Sequence, residues 1–278
     1  MIVRRVLSMI SVLALVGPRV EAWPAETMTA IGRDARRLLP PTLSRLLAER
    51  ETELQQGLVR APESVVQALA EDLPEGVLRP ATLALIEGEV DEVVSLLREG
   101  RVNEGLARLG ALLRVTADLS DPVLTSGPEG WPAGLAREYY ALFAANLDRM
   151  PVVLDDPMAL QLSRGQLAPY WRSMVARSRE QASTIRAELL RGGRVVSHTR
   201  LDYRSPAWAV ASLAYSRAVT ATAASWLVVW REANGDTTRM RLPPRQAPGG
   251  NPSAGTPTTK GAADGSPAQG LSTEGETP

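Results

Sequence analysis

The chain of 278 residues contains no cysteine and a single histidine, His198. The absence of cysteine excludes disulfides, thiol catalysis and thiolate metal ligands. Zinc in proteins is bound by Cys, His, Asp and Glu, and imidazole is its usual nitrogen ligand, so one histidine cannot supply an imidazole-rich cluster. Because His198 lies in a segment without clear periodicity, we expect it to be exposed rather than to act as a general base or a metal ligand.

Aromatic side chains are also scarce, at 4% of the residues, and Phe143 is the one phenylalanine. Leucine, valine and alanine must therefore fill the interior, which favours packed helices over a β-sandwich. We expect an all-α fold, a single multi-helix domain of about seven helices over residues 23–242. The aromatic side chains that we expect to pack in this core, rather than to stack on a sugar or a base, are Tyr139, Tyr140, Tyr170 and Trp171.

The chain has no excess of charge of either sign, since 31 basic and 31 acidic residues give a formal net charge of zero. A neutral protein exerts no general attraction on polyanions, so we expect no nucleic-acid partner. The charge is locally uneven, with thirteen acidic residues in 49–104 and nine arginines in 164–204. Two solvated faces that complement each other explain this pattern, and an anion-binding surface on the arginine-rich stretch is the alternative.

Residues 1–22 have the three parts of a secretory signal peptide. Arg4 and Arg5 precede an apolar run over 6–17, and Val20-Glu21-Ala22 is a small-x-small cleavage site. The apolar run, about twelve residues, is shorter than the roughly 20 residues that a membrane-spanning helix needs. We therefore expect cleavage after Ala22, a periplasmic or secreted location, and no transmembrane segment after signal cleavage.

Most of the remaining sequence has the 3.6-residue periodicity of amphipathic helices. Arg217 near the middle of the last helix favours a half-buried amphipathic helix over a membrane span. Residues 243–278 are rich in Pro, Gly, Ser and Thr and predict a disordered tail, because they cannot bury enough apolar area to offset their conformational entropy. The predicted helices cover 29–39, 42–60, 63–72, 81–99, a stripe from 102 to 113, 132–150, a segment from 157 or 166 to 191, and a last helix from Pro206, with a loop over 120–132.

Residues 109–124 read L-G-A-L-L-R-V-T-A-D-L-S-D-P-V-L. This segment resembles the L-G-x-x-x-H-x-x-x-D-x-x-x-P-x-H segment of the zinc-dependent phospholipase C and S1/P1 nuclease superfamily. Arg114 and Leu124 stand where the superfamily has histidine, and Asp118 retains the carboxylate. Because Arg114 and Asp118 are four residues apart on one helical face, we expect the guanidinium to reach the carboxylate. The alternatives are a filled former ligand site and an ordinary surface ion pair.

Further segments are similar to the superfamily in the same order along the chain. The start W-x-x-x-x-H resembles residues 23–28, A-P-D resembles 61–63, and G-L-H-x-x-x-E resembles 134–140. The final W-x-x-x-W segment resembles 226–230, so the resemblance extends over about 23–235. The resemblance implies that ligand positions are retained at Trp23, Glu63 and Asp118. It implies that ligands are substituted at Met28, Arg114, Leu124, Ala136 and Tyr140.

The superfamily cleaves phosphodiesters with a three-zinc cluster, in which a zinc-bound water is the nucleophile. The substitutions predict an exported, catalytically inactive relative with no catalytic residues, no metal and no cofactor, which acts as a binding or structural module for an unknown protein or small ligand. The alternative is a residual metal-dependent phosphoester or phospholipid hydrolase, with zinc at a reduced site of Trp23, Glu63 and Asp118. A third interpretation is a secreted helical interaction module unrelated to the superfamily.

Overall fold

The computed structural model describes residues 23–127, 131–132, 134–154 and 156–238. Within these ranges the protein has ten α-helices and a single two-stranded hairpin, which confirms the predicted all-α class. The expected signal peptide, residues 1–22, and the expected tail, residues 243–278, lie outside the described residues.

The order of the elements along the chain is as follows. The helices are α1 (Ala25–Arg36), α2 (Pro41–Glu49), α3 (Glu51–Val59), α4 (Glu63–Asp72), α5 (Pro80–Arg98), α6 (Val102–Leu119), α7 (Pro122–Ser126), α8 (Leu135–Ala144), α9 (Leu167–Leu189) and α10 (Pro206–Glu232). The strands are β1 (Leu190–Arg191) and β2 (Arg194–Val195), which pair antiparallel. Single 3-10 turns cover Leu73–Glu75, Leu147–Arg149, Pro157–Gln161, Arg164–Gln166 and His198–Arg200.

Several predicted boundaries were wrong for local reasons. The helix predicted over 42–60 is divided at Arg50, whose φ of −121° and ψ of 37° interrupt the helix between α2 and α3. The loop predicted over 120–132 contains α7, because Pro122 suits a first helical turn and Asp121 caps it by accepting the Val123 N–H at 2.8 Å. The ten helices exceed the about seven expected in part because the segment predicted over 42–60 forms two helices and because α7 lies in a predicted loop.

Helices α6 and α10 form the centre of the fold, and α10 is more deeply buried than the half-buried helix that the sequence predicted. Eighteen of the 27 residues of α10 are buried, most of them small, which lets neighbouring helices approach closely. The Trp226 indole donates to the Leu109 carbonyl at 2.9 Å, and the hydroxyls of Thr116 and Thr222 lie 2.8 Å apart. None of the helices in the described ranges combines the length and apolar composition of a membrane span.

Helix α3 packs on α6 through two glycines that face backbone rather than side chains. A Cβ atom on Gly57 would lie 1.5 Å from the Ala107 carbonyl oxygen, and one on Gly110 would lie 1.9 Å from that of Leu54. Neither distance is possible between real atoms, so the observed approach requires glycine at both positions. Gly110 precedes Arg114 by about one helical turn and Asp118 by about two, so this contact also fixes where those side chains lie.

We predict that Gly57→Ala and Gly110→Ala each lower the free energy of unfolding by roughly 1–3 kcal/mol or more, because the two backbones must separate. Gly88→Ala is the matched control, since Gly88 is exposed inside α5 and a Cβ there meets no atom within 4 Å. The control should gain about 0.5–1 kcal/mol from helix propensity. Denaturant unfolding measures all three variants, and equal behaviour of Gly57→Ala and Gly88→Ala would contradict the close contact.

Candidate binding cleft at Trp23, Arg114 and Tyr140

The second half of α6 carries the predicted pair of Arg114 and Asp118. The Arg114 Nε donates to Asp118 Oδ2 at 2.9 Å, which confirms that the guanidinium reaches the carboxylate. Asp118 is only 7% exposed, so the pair differs from an ordinary ion pair on the surface. Burial raises the pKa of Asp118 above its usual range, and the charge and hydrogen bond of Arg114 act in the opposite direction.

The second oxygen of Asp118 is in an unusual position. Oδ1 is buried and accepts no hydrogen bond from any residue in the described part of the chain. A buried, unpartnered polar atom costs about 1–3 kcal/mol of desolvation. Asp118 is therefore half satisfied, with one oxygen held by Arg114 and one that is free to accept a donor.

Trp23 lies beside this pair. Its indole N–H donates to the carbonyl of Ala117, the residue before Asp118, at 2.9 Å. Its ring packs edge-on against Phe143 at 4.5 Å between centroids and lies 6.4 Å from the Tyr140 ring. The indole is thus fixed by a hydrogen bond at one side and by aromatic packing at the other, and it joins α1, α6 and α8.

A second buried carboxylate, Asp121, lies close to Asp118 and was not anticipated from the sequence as a site residue. Its Oδ1 accepts the Val123 N–H, and its Oδ2 accepts the Tyr140 hydroxyl at 2.8 Å. Burial raises the pKa of Asp121 to about 7, the Tyr140 hydrogen bond opposes this rise, and the charge of Asp118 adds to it. The Asp-Pro pair that opens α7 was the available signal, because Asp is a favoured helix cap before proline.

The four aromatic side chains predicted to pack in the core do so. Trp171 and Tyr139 are fully buried, and Tyr140 and Tyr170 are 5% and 8% exposed. Tyr139 lies between Tyr140 and Phe143, at 5.5 and 5.1 Å between ring centroids. Tyr140 has a second role, because it also lines an open cleft.

This cleft has a volume of about 530 Å³, a size typical of small-molecule sites. It lies between the start of α1, the second half of α6 and the outer face of α8. Its lining residues are Trp23, Pro24, Arg114, Arg137, Tyr140, Ala141 and Ala144. The cleft therefore contains two arginines in a mainly apolar surface.

The structure brings together four of the positions that the sequence indicated, namely Trp23, Arg114, Asp118 and Tyr140. Met28 is buried in α1, and Leu124 and Ala136 pack against the core from partly buried positions.

Glu63 is exposed at the first residue of α4, and no hydrogen bond or ion pair between described residues connects it to Trp23 or Asp118. No group of three or more His, Asp or Glu side chains in the described ranges is arranged to hold a metal ion.

The expectation that His198 is exposed was wrong, because its side chain is only 23% exposed. Its Nδ1 lies 2.8 Å from Glu138 Oε2, and its backbone N–H donates to the same oxygen at 2.9 Å. These contacts hold the pKa of Glu138 below its usual range, first through the backbone hydrogen bond and then through the ring. His198 thus fastens its own 3-10 turn to α8, beside Arg137.

One arginine of the arginine-rich stretch, Arg164, contacts the acidic stretch. Arg164 donates to Asp91 at 2.9 Å and to the carbonyl of Glu87 at 2.8 Å, and so joins the start of α9 to α5. Arg231 in α10 donates to the carbonyls of Leu160 and Leu162. Arginines of the second half of the chain therefore serve in part as tertiary contacts.

Comparison of the chain with protein-family models, with curated proteins and with solved structures finds no match.

The buried Asp121 predicts a specific pH dependence of stability. The native carboxyl binds its proton more tightly than the unfolded one, whose pKa is near 3.9. Its contribution is therefore unchanged below about pH 4, is lost progressively up to about pH 7 at no more than about 1.4 kcal/mol per pH unit, and stays lost above that. Asp121→Asn should remove this decline, while the contribution of Asp118, whose pKa is raised in the same direction, remains.

Free energies of unfolding from urea titrations between pH 4 and pH 8 measure this difference. Tyr140→Phe is the companion variant, because loss of the hydroxyl removes the one side-chain hydrogen bond that favours the charged form and should extend the decline above pH 7. Parallel profiles for the wild type and Asp121→Asn would show that Asp121 does not titrate in this window.

Proposed function

We propose that this protein is an exported, catalytically inactive relative of the zinc-dependent phospholipase C and S1/P1 nuclease enzymes, and that it acts as a binding module. The observation that carries the proposal is the Arg114–Asp118 pair, at 2.9 Å, in the segment that resembles the zinc-binding segment of that superfamily. The cleft beside this pair is the proposed binding site.

The charge balance of the site supports the absence of a metal cluster. A cluster needs several deprotonated, closely spaced ligands whose negative charge the metal offsets. Here Arg114 offsets the charge of Asp118, and Asp121 is held by an uncharged hydroxyl and backbone N–H groups. An arginine at a former ligand position removes the electrostatic need for a cation and repels one.

The substituted positions support the same conclusion through packing. Met28 is 1% exposed, and Leu124 packs against the core, so apolar atoms occupy space where the resemblance implies imidazoles. A flexible methionine fills irregular gaps of this kind well. The scaffold would then persist because its folding no longer depends on metal.

The rest of the proposal concerns location and partner. A signal peptide over residues 1–22, cleaved after Ala22, would deliver the protein to the periplasm or the outside and make Trp23 the first residue. The partner is a protein or a small ligand, and the neutral net charge argues against nucleic acid.

One observation favours the alternative of a residual hydrolase. Asp118 Oδ1 is buried and unpartnered, and could ligate a cation together with the amine and carbonyl of Trp23. Glu63, the third member of that reduced site, is exposed at the start of α4. The third interpretation, a helical module unrelated to these enzymes, needs none of these positions.

Zinc content decides between the first two functions. We predict that signal-cleaved protein, dialysed against zinc and then against metal-free buffer, retains well under one equivalent of zinc by elemental analysis. Near-stoichiometric zinc that Asp118→Asn abolishes would support the hydrolase instead. Asp91→Asn, at an exposed aspartate of α5, is the control for the loss of one charge.

The lineage itself is tested by restoring ligands. We expect the combined substitutions Met28→His, Arg114→His and Leu124→His to raise zinc affinity by at least about a hundredfold over the parent. Imidazole is a usual zinc ligand, and even the outer-shell partners of such ligands change metal affinity by about tenfold or more. The control carries the same number of histidines at exposed positions on three separate helices away from the cleft, Val66, Ser95 and Ser173. Equal zinc affinity of the two triple variants would favour the unrelated helical module.

A further inference from the structure

The side chains around the cleft at Trp23, Arg114 and Tyr140 differ in which hydrogen-bonding groups are already used. The Trp23 indole N–H donates to Ala117 O, and the Tyr140 hydroxyl donates to Asp121 Oδ2. Pro24, Ala141 and Ala144 have no polar side-chain atoms. Among the described lining residues, the side-chain groups that remain to meet a ligand are therefore the guanidiniums of Arg114 and Arg137.

Both guanidiniums have unused donors. Arg114 uses Nε on Asp118, which fixes the plane of its guanidinium, and its terminal nitrogens form no hydrogen bond with a described residue. Arg137 is 80% exposed in its side chain, and its nearest carboxylate oxygen, Glu138 Oε1, is 4.0 Å away. The other oxygen of Glu138 is already held by His198. Glu138 therefore competes weakly for Arg137.

From this arrangement we infer that the cleft binds an organic oxyanion, a carboxylate or phosphate monoester attached to an apolar body, and holds it without cleaving it. The end-on edge of a guanidinium matches the two oxygens of such a group, and charge-assisted hydrogen bonds of this kind are the strong ones. The apolar body would lie on Pro24, Ala141 and Ala144 and on the aromatic rings. This inference rests on the proposed function of a binding module without a metal.

Asp118 sets the strength of this site. Its negative charge lies directly behind Arg114, at 2.9 Å from Nε, and therefore weakens the attraction of the pair for an incoming anion. Removing that charge while keeping the shape of the side chain should strengthen anion binding. An apolar ligand without charge would not respond.

The experiment uses the signal-cleaved protein and four probes in isothermal titration calorimetry, below their micelle-forming concentrations. Octanoate and octyl phosphate carry the oxyanion, octanamide is the uncharged match to octanoate, and inorganic phosphate lacks the apolar body. We expect octanoate and octyl phosphate each to bind at least about tenfold more tightly than octanamide and than inorganic phosphate, a difference of about 1.4 kcal/mol.

Variants locate the binding in the cleft. Ala144 is an exposed residue that lines it, so Ala144→Glu and Ala144→Gln form a pair that differs in charge alone. We expect Ala144→Glu to bind octanoate at least about fivefold more weakly than Ala144→Gln, through like-charge repulsion. Arg137→Gln should also weaken octanoate binding, by about threefold or more. Asp118→Asn should bind about threefold or more tightly, whereas Asp91→Asn should match the parent.

Two further arms identify the source of the ligand and separate this inference from the proposed function. Sedimentation with phosphatidylcholine vesicles that contain phosphatidic acid supports a lipid headgroup if Arg137→Gln reduces the sedimented fraction. If no protein sediments while octyl phosphate binds, the ligand is a free amphiphile. Octanamide binding as tight as octanoate, or no difference within the Ala144 pair, overturns the inference. The proposed function fails separately, on zinc content.

Discussion

The close contact between α3 and α6 is the constraint on which the positions of the other elements depend. Because Gly57 and Gly110 have no Cβ, the two backbones approach to a distance that no side chain would allow. Helix α6 is then enclosed by α3, α5 and α10, and twelve of its 18 residues are buried. The second half of α6 emerges at the cleft, where Arg114 and Asp118 meet Trp23. The position of the cleft residues on α6 thus depends on the packing contact at Gly110, about one helical turn before Arg114.

Buried acids in this protein are compensated by protein groups. Every buried aspartate in the described ranges has at least one hydrogen-bond partner, as expected from the cost of burying a charge. The pairs are Asp34 with Tyr215, Asp72 with Arg79, Asp118 with Arg114, and Asp121 with Tyr140. The two aspartates at the cleft are the least fully compensated, because Asp118 Oδ1 has no hydrogen-bond partner among the described residues and the pKa of Asp121 is raised to about 7.

The pairing of Arg114 with Asp118 connects the stability of the fold with the proposed function. Under the proposed function, an arginine that neutralises a buried carboxylate would remove the need for a cation, and the same Arg114 lines the cleft. The guanidinium of Arg114 can therefore stabilise the folded state and also bind a ligand. The stronger its interaction with Asp118, the weaker its attraction for an anionic ligand. Arg137, on α8 and mostly exposed, has no such structural duty and is free to serve the ligand.

The sequence by itself determined the helical class, most helix positions and the Arg114–Asp118 pair, because these depend on periodicity and on residues four apart along one helix. It could not determine that α10 is central, that His198 pairs with Glu138, or that Arg137 shares a cleft with Arg114. Those facts depend on contacts between residues that are far apart in the sequence. His198 and Glu138 are 60 positions apart, Trp23 and Ala117 are 94 apart, and Trp226 and Leu109 are 117 apart. Local patterns carry no information on such pairs, since the packing of whole helices, here set by two glycines, decides which distant side chains meet.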